Sequence, residues 1–196
     1  VAVPPITPAA IQTGPGRIRY APLLTAIPSF AAVGSIFNPT WTNWLDAGPT
    51  DAGMTYTEAT ETAEIRVAES KYAVRTVVTS KTSRISFVAN EITDVIWKLA
   101  MNGGSTTVTG STTTKSVEYV PPLADAEVRV MLAFQSNGND EILVFPQVFN
   151  VAQVEYVRGS FETKAGLSFE MNAEIPATGY TTPYKRFTSG ALALAV

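Results

Sequence analysis

The 196-residue sequence contains no cysteine and no histidine. The first absence excludes disulfides, thiolate metal sites and a cysteine nucleophile. The second removes the usual general base near neutral pH and the commonest zinc ligand. Charge is scarce too: Asp, Glu, Lys and Arg make up 16% of the chain, against an ordinary quarter, while apolar residues make up 45%. On a chain of one-domain length, so few charges imply that part of the surface is covered by partners. The net charge is −3. With no basic stripe, the chain does not read as one that grips nucleic acid. The opening residues VAVPPITPAA place no charged segment ahead of an apolar run and do not read as a secretory signal. The uncharged stretch from Tyr20 to Leu45 is long enough to cross a bilayer, but Pro22, Pro28, Gly34 and Pro39 break it. Membrane insertion by this chain is therefore not expected.

What is present begins with residues 1–40, rich in Pro, Ala and Ile and without a sustained period. They read as an extended arm ahead of a single domain over 41–196. The arm is apolar, through Tyr20, Leu23, Leu24 and Phe30 among others. A disordered linker would be more polar, so the arm is expected to lie on its own barrel or on a neighbour. From Trp41 onward the chain reads as strands. NWLDAGPTDAGMTYTEA suggests strand, turn, strand, and AVRTVVTSKTSRISFVA suggests a hairpin with a short polar turn. SNGND is a strong turn between AEVRVMLAFQS and the long apolar run EILVFPQVFNVAQVEYV, which should bend at Pro146. GLSFEMNAEI alternates cleanly, with Glu170 and Glu174 on the polar side. Several strands are apolar on both faces. The expected fold is mainly β: a β-barrel or sandwich of two packed antiparallel sheets with one flanking helix.

That helix is expected over about 90–101, with Asn90 as N-cap and Gly103–Gly104 as its stop. Ile92, Val95, Ile96 and Leu99 share one side of the helical wheel, as a core face should. Trp97 and Met101 fall on nearly the opposite side, beside Asp94 and Lys98. A helix apolar on two sides sits between two surfaces, and Trp97 and Met101 are candidates for a contact with the arm or with another subunit.

Few residues suggest chemistry. GGSTTVTGSTTTK fails phosphate-loop spacing, because no Gly-Lys-Ser/Thr follows, and reads as a surface loop or weak edge hairpin. SNGNDE has calcium-ligand residue types but is too short for a helix–loop–helix site. Glu170 and Glu174 are the natural carboxylate pair for a glycosidase, although on one strand they read better as a solvated face. No catalytic residue, metal site or cofactor is expected.

Four stretches, GRIRYAPLLTAIPS, TNWLDAGPTDAGMTYT, YAVRTVVTSKTSRISFVANEIT and LAMNGG, resemble the major tail proteins (tail tube proteins) of long-tailed, non-contractile bacteriophages infecting actinobacteria. The likeness runs from about Gly14 to about Thr188 and is strongest over Val74–Thr93. It implies a phage tail-tube fold and a structural virion protein rather than an enzyme. Six subunits would form a ring whose inner sheets join, and rings would stack into the hollow tube through which the genome is ejected. The implied partners are other copies of the chain, the tape-measure protein in the lumen, and the tail terminator and tail tip proteins. Double-stranded DNA would pass transiently without specific binding. The implied location is the virion tail, after assembly in the host cytoplasm. On this reading Tyr20, Leu23, Leu24, Phe30, Trp97 and Met101 are candidate subunit contacts, and Glu170 and Glu174 candidate lumen residues, where acid would not hold phosphate. The alternatives are a β-sandwich binding module, such as a capsid decoration or receptor-binding domain, and a two-carboxylate carbohydrate hydrolase.

Overall fold

The computed structural model describes residues 16–28, 32–33, 36–37, 39–66, 72–111, 114–123, 126–136, 141–157 and 166–188. The elements run β1 (Gly16–Pro22), β2 (Ala32–Val33), β3 (Ile36–Phe37), β4 (Leu45–Ile65), β5 (Arg75–Ala89), α1 (Asp94–Ala100), β6 (Ser105–Gly110) and β7 (Lys115–Val120). After them come β8 (Val130–Ser136), β9 (Glu141–Asn150), β10 (Tyr156–Val157), β11 (Gly166–Ala173) and β12 (Lys185–Thr188). The chain is mainly β, as its period-2 patterning requires.

An antiparallel ladder runs β11–β5–β4–β1–β8–β9. β11 then pairs with β9 as well, through Met171–Asn150, Asn172–Phe149 and Ala173–Val148, so the sheet closes on itself as a six-stranded barrel. Closure leaves these strands no free edge where they circle the core. β10 and β12 add short flanks to β11 and β9, while β2–β3 and β6–β7 form separate two-stranded sheets.

Alternation along each strand fills the barrel. Ile18, Ile85, Leu132, Phe145, Leu167 and Met171 are fully buried in one cluster, with Phe87 stacked on Phe169 at 4.6 Å between centroids. α1 adds Ile96, Leu99 and Ala100 to the same cluster. A second cluster lies on the other face of β1, β8 and β9, where Ala21, Met131, Ala133, Ile142 and Val144 are covered by Trp44, with Trp41, Ile27, Tyr180 and Phe187 packed around them. These strands read as apolar on both sides because each side meets a core. The Trp44 indole N–H donates to the Ala26 carbonyl at 3.1 Å, and the Trp41 indole to Gln135 Oε1 at 3.2 Å. The Arg19 guanidinium lies 4.6 Å from the Trp41 ring centroid and also donates to Gln135. The described residues between β1 and β4 thus include Ile27, Trp41 and Trp44 lying on the chain's own barrel.

Several local expectations change. Gly16–Pro22, assigned by composition to the arm, is a full barrel strand between β4 and β8. The turns expected near Gly48–Gly53 and near Ser80 do not form, and β4 and β5 each run through as one long strand. Gly48 and Gly53 take positive φ (84° and 85°), and the register slips between Thr50 and Met54, so turn-forming residues are absorbed as a bulge. α1 starts later than expected, capped by Thr93, whose hydroxyl accepts from the Ile96 N–H, rather than by Asn90. The irregularity expected at Pro146 is present: the β8–β9 register slips between Val130–Val148 and Leu132–Phe145, around that residue.

Candidate functional site

The most distinctive surface comes from the long β4–β5 hairpin. Near the barrel, Ser83, Ile85, Phe87 and Ala89 of β5 are buried in alternation, but Arg75–Thr82 have no buried residue. On β4, Thr57–Ile65 are likewise exposed on both faces. The pairing nevertheless continues, from Thr57–Arg84 to Ile65–Arg75, and the Val74 N–H donates to the Ile65 carbonyl at 2.9 Å. Past the last β5–β11 rung, Ser83–Ala173, the seven residues Ala59–Ile65 carry this ribbon about 23 Å beyond the barrel. Among the described residues no third strand pairs with either of its edges beyond that rung. Ile65, Val74 and Val78 are more than half exposed, and Tyr72 is 83% exposed. Polar pairs lace the ribbon: Lys81–Glu58 at 3.5 Å, and the Ser80 hydroxyl donating to Glu61 at 2.8 Å. A lone two-stranded ribbon is marginal in water, and one bearing exposed apolar side chains is suited to being covered.

Where β4, β5 and β11 lie side by side in the barrel wall, their outward residues are polar apart from Val88: Thr55 and Thr57, Arg84 and Ser86, Ser168 and Glu170. Arg84 donates to Glu170 at 2.5 Å across the β5–β11 ladder. Glu174 accepts from Arg129 Nε at 2.7 Å and from Gln147 Nε2 at 2.6 Å. Burial pushes the Glu174 carboxyl up, but those two hydrogen bonds and the Arg129 charge outweigh it and hold the group below its ordinary value. Both glutamates expected to present bare acid are thus matched by arginines, so this face is hydroxyl-rich and charge-compensated. Tyr56 sits where the ribbon leaves the barrel, its hydroxyl 3.2 Å from both Glu58 and Ser83. Burial first, then Glu58, pushes this phenol up to about 12, with the Ser83 hydrogen bond opposing.

The candidate contact residues are dispersed. The Tyr20 ring is buried in the barrel core. Leu23 and Leu24 are exposed just after β1, with Leu24 at φ 64°. Phe30 lies outside the described residues. Trp97 is half-buried, and two tyrosines of the same chain meet it edge-on: Tyr119 of β7 at 6.4 Å and Tyr156 of β10 at 5.4 Å. Met101, also half-buried, is the C-cap of α1. Val95, expected on the core face of the helix, is 43% exposed. The ribbon tip was not singled out from sequence, although TYTEATETAEI carried a signal: it alternates Thr and Glu with no apolar face to bury. Asn150 was missed as well. It is buried, its side-chain N–H donates to the Ala100 carbonyl at 2.6 Å, and its oxygen accepts from the Glu170 N–H at 3.2 Å, tying the end of α1 to the seam of the barrel.

Among the described residues no group of three or more acidic side chains is placed to hold a metal ion, and no helix is long and apolar enough to cross a membrane. No protein-family model matches the chain, and no curated protein matches its sequence.

Proposed function

We propose that the chain is a structural subunit of a tail tube, built to associate with copies of itself as hexameric rings that stack into a hollow conduit for a phage genome. The observation that carries this reading is the β4–β5 ribbon: two long strands that run out of a closed barrel, have no buried residue over Ala59–Ile65 and Arg75–Thr82, and end in exposed Ile65, Tyr72 and Val74. The Val74–Thr93 block, on which the likeness to tail tube proteins is strongest, is β5 itself plus the lead-in to α1. Of that block, Arg75–Thr82 belongs to the ribbon the monomer leaves uncovered, while Ile85, Phe87 and Ala89 are barrel core. Head-to-tail association is the natural use of such a projection, since it fits a surface on the next copy other than its own and closes into rings or runs on into stacks. The hydroxyl-rich, charge-compensated wall of β4, β5 and β11 suits a lining past which DNA slides, because it offers no surplus of cations to hold phosphate. On this reading the protein performs no catalysis, works in the virion tail and meets a tape-measure protein inside the tube.

Electron microscopy of concentrated protein, or of virions containing it, tests the reading. Hollow tubes made of rings are expected. Shortening the ribbon, by joining Thr60 to Lys81 through a two-residue Asn-Gly turn, should leave a folded barrel that no longer forms tubes. Tubes that persist after shortening would refute the role given to the ribbon, and a compact monomer at high concentration in the intact chain would refute the tube reading.

A further inference from the structure

Beside α1, the starts of β4 and β8 and the end of β9 border an open groove of about 340 Å³. Leu99, Val130, Val148 and Met171 line it, together with the exposed Leu45, Val95 and Val128. Its amides are engaged within the chain: the Asn102 side-chain N–H donates to the Asn150 carbonyl at 2.7 Å, and its oxygen accepts from the Asn150 N–H at 2.8 Å. Of the lining residues only Lys98 is charged. Walls of this kind favour an occupant that is apolar and carries little charge. The groove sits at one end of β1, β8 and β9, where Pro22 pairs with Val130 and Val130 with Val148. At the other end of those strands Gly16 pairs with Ser136, the Ser136 hydroxyl accepts from the Glu141 N–H, and Thr188, the last residue of β12, pairs with Glu141. β12 runs toward that far end, so the residues after it set out away from their own groove.

Those residues are SGALALAV, 189–196, without a charged side chain and with Leu192, Leu194 and Val196 in alternation. Fully extended they reach about 26 Å, and about 23 Å of that would be spent in returning along β9 from Glu141 to Val148. Their own groove is therefore out of useful reach, while the groove of a copy placed end to end lies ahead of them. We propose that residues 189–196 of one copy dock in the α1 groove of the next. Leu192, Leu194 and Val196 meet Leu99, Val130 and Met171, and docking covers Val95 and Val128. A groove that takes alternate side chains of an extended segment is a common mode of peptide recognition. The contact is head-to-tail, because its two surfaces differ and lie at opposite strand ends. It rests on the self-association proposed above and names the surfaces that meet.

The chain has no cysteine, so single introduced thiols report the contact without background. Full-length Ala193→Cys is mixed with Val128→Cys or with Val95→Cys and oxidised, and electron microscopy of the concentrated wild type scores tubes. A disulfide-linked dimer of the two variants is expected from one or both mixtures. Its yield should be about tenfold above that with the exposed Val108→Cys of β6, since only docking brings the thiols within bridging distance. Adding Leu192→Glu and Leu194→Glu to the Ala193→Cys chain should bring the yield down to that control. Mixtures that couple no better than the control overturn the proposal, and tubes seen alongside would leave the tube reading standing. Coupling without tubes upholds the contact and counts against the tube reading. An intramolecular bridge in a chain carrying both Ala193→Cys and Val128→Cys, with no coupling between chains, gives the groove to its own chain and overturns the proposal. Coupling of Val128→Cys to Ile6→Cys in place of Ala193→Cys gives the groove to residues 1–15 and overturns it too.

Discussion

Glu174 shows how single contacts set the behaviour of this surface. Its carboxyl is held below the ordinary 4.5 by Arg129 and Gln147 against an opposing push from burial. A depressed carboxylate stabilises the fold above its unfolded value, and the contribution is lost as pH falls through the folded value. The stability difference between the wild type and Arg129→Gln is therefore expected to be largest near neutrality and to shrink below about pH 4. The group is partly exposed, so the difference should be at most about 1 kcal/mol. Urea midpoints at the two pH values measure it. Tyr56 has the opposite sign. Its phenol is raised to about 12, so its contribution is complete below about pH 10, where the unfolded phenol begins to ionise, and is lost toward 12. Tyr56→Phe should flatten the alkaline fall in melting temperature and remove one late phenol from the absorbance titration. Asn150 is buried and fully engaged, and Asn150→Leu would strand the Ala100 carbonyl. A loss of about 1–3 kcal/mol is expected in equilibrium unfolding.

At the scale of elements, α1 is held on both of its apolar sides by its own chain. Ile96 and Leu99 face the barrel core, and Trp97 meets Tyr119 and Tyr156. Trp97→Ala should therefore lower the melting temperature of the dispersed protein, because it empties a contact shared by α1, β7 and β10. If the melting temperature held while assembly failed, the ring would instead be an interface anchor. The second apolar side was legible from Trp97 and Met101, but its cover was not: Tyr119 and Tyr156 lie far along the chain in stretches that look like loop and strand end. The barrel strands were legible wherever alternation met a core, as in Leu167, Phe169 and Met171 opposite Ala89, Phe87 and Ile85. The long hairpin was not, because Gly48, Pro49 and Gly53 are turn formers by local chemistry, and only pairing with β5 turns them into a bulge. β1 was lost inside an apolar arm for a similar reason. Ile18 and Tyr20 alternate with Arg17 and Arg19, but only briefly: Ala21 already serves the second cluster and Pro22 ends the strand, so a Pro-rich surrounding outweighs the pattern.

For the whole molecule, the barrel wall and the ribbon divide the work. The wall supplies a self-contained core, and the ribbon supplies surface that gains by being covered. Truncating the chain through residue 35 would remove β1, and with it the strand joining β4 to β8. Such a variant should be unfolded by circular dichroism rather than merely unable to polymerise. The place of β1 also sets an order on biosynthesis. It pairs with β8, matching Gly16 to Ser136, so β1 leaves the ribosome well before the neighbour it must wait for. Until then, β1 and the growing β4–β5 pair hold open edges in a crowded cytosol, where chaperones compete with wrong partners. Yield in a cell should therefore depend on how fast translation delivers residues 130–136, and slowing the ribosome upstream of them should send more of the product into aggregates.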